Sequence, residues 1–293
     1  MTFAASSAPL ARDPAVIHGS IQLDLPSRIT GRTYRVFVFQ PDAAPPPSGY
    51  PVVLTTDGNL TFPLAATMGA AFALRGGKAA LVVGVGYPTD DPMQLIALRA
   101  HDLTPATQAS GADPGVGPED AGGCEGFYRF LVEELRPMIA GAYSVDADDQ
   151  TLYGHSWGGL FALHVLFNHP ASFQLFAASS PSIWWDGRSI LADEPDFARR
   201  VEAGEVAPRV LISVGSREQD APPTPLPGRT HAQMQDMMRE ARMVDNAREL
   251  SERLQGLDGQ TGYQVRFHSF HDEDHLTALP ASIGRTLAFA LRT

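Results

Sequence analysis

Thr151-Leu152-Tyr153-Gly154-His155-Ser156-Trp157-Gly158-Gly159 is the stretch on which the reading of this chain turns. It has the form of a strand running into a G-x-S-x-G bend and then a helix. Such a bend lifts the serine hydroxyl above the sheet. Gly154 and Gly158 let the bend close without side-chain clashes. The helix that follows points its N-terminal N–H groups at the hydroxyl, where negative charge would develop. Ser156 is therefore the candidate nucleophile. A chain of this length produces the bare pattern by chance about one time in ten, so its context decides. Before it lies the turn-rich Asp146-Ala147-Asp148-Asp149. After it, residues 160–167 (Leu-Phe-Ala-Leu-His-Val-Leu-Phe) are apolar on nearly every face, as a buried helix requires, and Asn168-His169-Pro170 stop it.

Upstream, residues 16–25 and 34–39 read as two strands joined by a turn near residues 27–31. Residues 41–49, with Pro45-Pro46-Pro47, form a loop that no strand can cross. Residues 51–56 are a buried strand ending in the turn signal Asp57-Gly58-Asn59, and 61–74 a helix closed by Gly76-Gly77. Residues 79–85 are the next buried strand. Its Gly84-Val85-Gly86 is followed by Tyr87-Pro88 with no third glycine, so it does not make a dinucleotide loop. Residues 99–123 are rich in Pro, Gly and Asp and read as a long irregular loop; 127–139 read as a helix.

Downstream, 173–178 and 209–214 are strands, 222–228 a proline-rich loop and 234–254 one long amphipathic helix. Residues 263–270 are the last strand, and a C-terminal helix starts near Pro280. Strands alternating with helices predict an α/β fold: a mostly parallel sheet with helices on both faces, opened by an antiparallel pair. We expect a disordered tail over residues 1–15 and one domain over 16–293.

The balance of charge narrows the partners. The chain has 293 residues, 44% of them hydrophobic, and a formal net charge of −11. That acidity argues against nucleic acid, whose phosphates need clustered cations. No stretch approaches the ~18 apolar residues of a membrane span. Cys124 is the only cysteine and can form no intrachain disulfide. With no basic n-region at its start, the sequence as given reads as soluble and cytoplasmic; a leader removed upstream would make it periplasmic.

A serine hydroxyl needs a base, and histidine has the right pKa. His275, in a loop just past the last strand, is the first choice, with His271 and His268 as rivals. His271, Asp272, Asp274 and His275 lack the helix and the glutamate of an H-E-x-x-H zinc motif and read as a solvated acidic loop. The acid that orients the base should follow the strand before the long helix. Glu218 is so placed, with Asp220 and Asp186 as alternatives. For the oxyanion, one main-chain donor is Trp157; the second is Gly58, Asn59 or Leu60. Trp184, Trp185 and Arg99 are substrate-binding candidates, two indoles for stacking and one cation for an anionic group. Cys124 has no nearby histidine in sequence and is not read as a nucleophile.

Thr56-Asp57-Gly58-Asn59, Arg99 to Pro105, Tyr153 to Phe161, Ser180-Pro181-Ser182-Ile183-Trp184-Trp185, Val214 to Gln219 and Asp274-His275 together resemble the putative-esterase branch of the α/β hydrolases. Within it the chain is most similar to esterases of enterobactin- and salmochelin-type siderophore trilactones. The resemblance implies the α/β-hydrolase fold and cleavage of a small-molecule ester through an acyl-serine at Ser156, with His275 essential. Some members look like Ser-His dyads, which leaves the acid open. It implies no metal or organic cofactor, and iron only as part of a ferric siderophore substrate. S-formylglutathione hydrolase and sugar-ester or feruloyl esterase are the alternatives within the branch. A non-catalytic binding protein on the same fold is the alternative outside it.

Overall fold

A computed structural model describes residues 15–106, 120–221 and 228–292. The expected N-terminal tail, apart from Ala15, and residues 222–227 of the proline-rich loop lie outside the described residues, as do 107–119 of the expected irregular loop.

Eight strands form one sheet: β1 (Ser20–Pro26), β2 (Thr33–Phe39), β3 (Tyr50–Thr55), β4 (Leu81–Gly86), β5 (Val145–His155), β6 (Leu175–Ser179), β7 (Arg209–Gly215) and β8 (Gln264–Phe270). Their order is β1-β2-β4-β3-β5-β6-β7-β8. β1 with β2 and β2 with β4 are antiparallel; every later pair is parallel. This is the mostly parallel sheet, opened by an antiparallel pair, that the alternation of strands and helices predicts, and the α/β-hydrolase fold that the resemblance implies. β3, β4 and β6 are buried at every position, as strands covered on both faces must be.

The helices are α1 (Gly58–Leu74), α2 (Pro92–Leu103), α3 (Cys124–Arg129), α4 (Arg136–Ala142), α5 (Trp157–Asn168), α6 (Trp185–Arg188), α7 (Glu194–Glu202), α8 (His231–Ala241), α9 (Met243–Gln255) and α10 (Ala278–Leu291). A π-helical stretch, Phe130–Leu135, joins α3 to α4, so the helix expected at 127–139 is one run with a widened middle. One cluster of buried side chains includes Phe127, Phe130, Leu160, Phe161 and Ile212; a second, on α1 and α10, includes Phe62, Ile283 and Leu287. Ten of the twelve residues of α5 are buried. At about 1.5–3 kcal/mol for each large apolar side chain, this burial anchors the residue at its N-terminal end.

Three local expectations are corrected. The chain from residue 99 is not irregular at its start: α2 runs to Leu103, begun by Asp91, whose side chain accepts from Met93 N at 3.0 Å, with Pro92 in the first turn. The single helix expected over 234–254 is two. It breaks at Arg242, which has φ 47°. The Gln219 amide holds that break: its oxygen accepts from Asp245 N at 2.7 Å and its nitrogen donates to Asp245 Oδ2 at 3.1 Å. α1 begins at Gly58, three residues before the expected start, because Asp57 in the left-handed conformation turns the chain directly into the helix.

Candidate active site

Ser156 occupies the bend between β5 and α5 with φ 60° and ψ −118°, a conformation that costs a residue with a Cβ on the order of 1–3 kcal/mol. Its backbone is held on both sides. Ser156 N donates to Ser179 O at 2.9 Å, and Ser156 O accepts from Leu160 N at 2.9 Å. A Cβ on Gly154 would lie 1.9 Å from Gly158 O, and one on Gly158 would lie 2.3 Å from Thr56 Oγ1. Both glycines are required by close approach of backbone and side chain.

His275 lies in the loop between β8 and α10. Its Nε2 is 3.0 Å from Ser156 Oγ, and its Nδ1 is 2.7 Å from Glu218 Oε2. Glu218 sits three residues past the end of β7 with its side chain fully buried. Its other oxygen accepts from Gly215 N at 2.6 Å and from Ser180 Oγ at 2.5 Å. Three donors thus compensate a buried carboxylate that would otherwise be costly. The structure therefore brings Ser156, His275 and Glu218 into one hydrogen-bonded line. The rivals lie elsewhere. Asp220 pairs with Arg217 at the surface, and Asp186 stands in a left-handed turn of α6. His271 faces solvent beside Asp272, and His268 contacts Arg285 from β8.

The Asp57–Leu60 turn packs against the bend. Asn59 fixes it to β4: its Oδ1 accepts from Tyr87 N at 2.8 Å, and its Nδ2 donates to Tyr87 O at 3.0 Å. Leu60 N is committed to Asp57 O at 2.8 Å, so Leu60 is not available as an oxyanion donor. The main-chain N–H groups of Gly58 and Asn59, at the start of α1, have no acceptor among the described residues. Trp157 N opens α5 on the other side of the bend.

The three substrate-binding candidates differ in their surroundings. Arg99 is already ion-paired and keeps part of its side chain exposed. It forms a two-pronged ion pair with Asp57, Nε to Oδ1 at 2.6 Å and Nη2 to Oδ2 at 3.0 Å, and lies 5.2 Å from the centre of the Trp157 ring. Burial lowers its pKa, but the charge of Asp57 more than offsets this and holds it above the usual value. Trp185 is 0% exposed and packs edge-on against Trp157 at 6.1 Å. Its indole N–H has no acceptor among the described residues. It is a core residue and cannot stack on a substrate from outside. Trp184 is half-buried and keeps an exposed part.

Several supporting residues carry little signal in the sequence. His155 is buried beneath the site, with Nδ1 3.1 Å from Ser179 Oγ and its ring 4.7 Å from that of His275. Burial pushes its pKa well below the usual imidazole value, and the neighbouring His275 and Arg99 add to the effect. Ser180, at φ 43°, gives its hydroxyl to Glu218 and its N–H to Ser213 O. Ser182 Oγ is 3.5 Å from Ser156 Oγ. The serines of the Ser180-Pro181-Ser182 run could have been suspected from their place after β6, because strand ends of an open parallel sheet converge there. Burial holds the Cys124 thiol up at about 12, which keeps it inert at neutral pH.

Comparison with known proteins gives the family. Residues 27–274 match the model of the family described as "Putative esterase". The chain is 37% identical to the ferri-bacillibactin esterase of Bacillus subtilis, over 90% of this chain and 87% of that one. It is 33% identical to a siderophore triacetylfusarinine C esterase of Aspergillus fumigatus, over 81% of this chain and 80% of that one. The crystal structure of the BES protein from Bacillus cereus superposes with a TM-score of 0.80 at 30% identity, covering 97% of this chain and all of that one. The chain belongs to the putative-esterase family of α/β hydrolases and is a carboxylic-ester hydrolase.

Proposed function

We propose that this esterase cleaves the ester bonds of siderophores, with Ser156 as nucleophile, His275 as general base and acid, and Glu218 as the group that orients His275. The observation that carries the mechanism is the line from Glu218 Oε2 through His275 to Ser156 Oγ, at 2.7 and 3.0 Å. Ser156 Oγ attacks the ester carbonyl carbon while its proton passes to His275 Nε2. The buried Glu218 carboxylate holds the other ring proton and stabilises the imidazolium that forms. Negative charge on the former carbonyl oxygen faces the N–H of Trp157 and that of Gly58 or Asn59. The carbon–oxygen bond to the alcohol then breaks, and His275 returns the proton to the departing alkoxide. Water repeats the sequence on the acyl-serine and restores the enzyme. No step requires a resident cofactor. Iron, where present, belongs to the substrate.

The substrate class rests on the two relatives above, whose names specify esterases acting on ferri-bacillibactin and on triacetylfusarinine C, each matched along at least 80% of its length. The test is hydrolysis of ferric and iron-free bacillibactin and enterobactin beside p-nitrophenyl acetate, with products weighed by mass spectrometry. Stepwise addition of water to the trilactones is expected. Cleavage of the simple ester with all trilactones left intact would overturn the substrate and leave the esterase standing.

A further inference from the structure

At the far end of α5 from Ser156, three potential metal ligands converge. They are Glu125, in the first turn of α3, His164, in the last turns of α5, and His169, which caps α5. Both Nε2 atoms point at one carboxylate oxygen: Glu125 Oε2 is 3.0 Å from His169 Nε2 and 3.4 Å from His164 Nε2. All three ligand atoms lie within 4.8 Å of one another. A tetrahedral ion with bonds of about 2.0–2.1 Å places its ligand atoms about 3.3 Å apart, so two edges of the coordination figure are already close to size.

The two rings are held before any ion arrives. His169 stacks on Tyr128 with ring centres 3.9 Å apart and planes 10° from parallel, and Tyr128 is itself tied to Ser172 Oγ at 2.6 Å. The His164 side chain is only 14% exposed. Glu125, at 51%, leaves the outer side open to solvent, where a fourth, water ligand fits. Asp193 adds a second carboxylate nearby, joined at 3.0 Å to Asn168, whose amide also touches His164. The negative end of the α5 dipole falls here as well and favours a cation.

We propose that Glu125, His164 and His169 form a binding site for a borderline divalent cation, Zn2+ foremost, that clips the start of α3 to the end of α5. Two imidazoles and one carboxylate with an open fourth position suit Zn2+ and do not suit Ca2+ or Mg2+, which take oxygen ligands. On binding, each Nε2 gives its lone pair to the ion and each neutral ring carries its proton on Nδ1. His164 lies eight residues from Ser156 along α5, roughly 12 Å at ~1.5 Å per residue. The ion therefore takes no part in ester cleavage; its effect is on the rigidity of the helix that carries Ser156.

The experiment is titration of chelator-treated full-length protein with Zn2+ against a chromogenic chelator, paired with thermal unfolding and with X-ray absorption of the loaded protein. One equivalent should bind, raise Tm until that equivalent is reached, and show two imidazoles in the first shell. His169→Ala and Glu125→Gln, both at partly exposed positions and kept folded by circular dichroism, should weaken binding by more than about tenfold, the scale on which even outer partners count. Ser156→Ala should bind as the wild type does. Absence of saturable binding, or binding that both ligand variants leave unchanged, would overturn the proposal.

Discussion

Glu218 and His275 meet at 2.7 Å although 57 residues separate them in the chain, and the carboxylate oxygen turned away from the imidazole is gripped by Gly215 N and Ser180 Oγ. The acid is thus held in place independently of the histidine it serves. Glu218→Gln should keep the fold but present His275 with a group that can offer an N–H in place of a charge. We expect kcat to fall about a thousandfold to ten-thousandfold with little change in KM. Glu218→Ala should in addition cost about 1–3 kcal/mol of stability, because the donors of Ser180 and Gly215 lose a buried acceptor. Steady-state kinetics and urea unfolding check both. A Gln variant with undiminished kcat would reduce the proposed machinery to Ser156 and His275.

Arg99 and Asp57 should behave as a structural pair. Their side chains are 23% and 10% exposed. Arg99→Met leaves the Asp57 charge nearly buried without its partner, and about 2–4 kcal/mol of stability should go, somewhat less than for a fully buried pair. The double variant Asp57→Asn with Arg99→Met should lose less than the sum of the two single changes. Chemical denaturation of the four proteins gives the coupling. A substrate-binding arginine would instead raise KM for anionic esters and leave stability alone.

His155 should make the protein acid-sensitive. Its folded pKa lies well below the usual imidazole value, chiefly through burial. The unfolded chain therefore takes up a proton near pH 6.5 that the folded protein refuses. Stability from this group is complete above about pH 6.5 and falls by about 1.4 kcal/mol per pH unit below it, until the folded pKa is reached. Tm measured from pH 7.5 down to 5 should drop less steeply in His155→Gln than in the wild type. Equal slopes would contradict a buried neutral imidazole.

The bend at Ser156 should hold strain that glycine releases. At φ 60° and ψ −118° the Cβ is disfavoured. Ser156→Gly should raise the unfolding free energy by about 1 kcal/mol, part of the strain being offset by the freer unfolded chain. Thermal unfolding of Ser156→Gly beside Ser156→Ala checks this, and a Gly variant less stable than the Ala variant would contradict it.

Most of the framework was readable because local chemistry and tertiary structure agree. The residues around Ser156 combine a buried strand, small residues where backbones touch, and an apolar helix. The strands from 51, 79, 209 and 263 carry β-branched runs bounded by turn signals. Glu218 and His275 could be named because each follows a strand whose C-terminal end faces the same edge of the sheet. What escaped depends on contacts distant in sequence. The break at Arg242 carries no glycine or proline and is written in Gln219, which reaches across to Asp245. The α2 helix was hidden by the Pro- and Gly-rich segment after it, although Asp91-Pro92 marks its start. Adjacent tryptophans look alike in sequence, yet only Trp185 turns fully into the core. The ion pair of Arg99 with Asp57 joins residues distant in the chain. The convergence of Glu125 with His164 and His169 joins two helices and has no spacing motif at all.

The claim on which the account rests is that Ser156 carries the acyl group. Intact-protein mass spectrometry after brief exposure to a fluorophosphonate, followed by peptide mapping, measures it directly. The account predicts one adduct per chain, located on Ser156, together with loss of ester hydrolysis by several orders of magnitude both in the labelled protein and in Ser156→Ala. An adduct on another residue, or a Ser156→Ala protein that still cleaves esters at the wild-type rate, would contradict it.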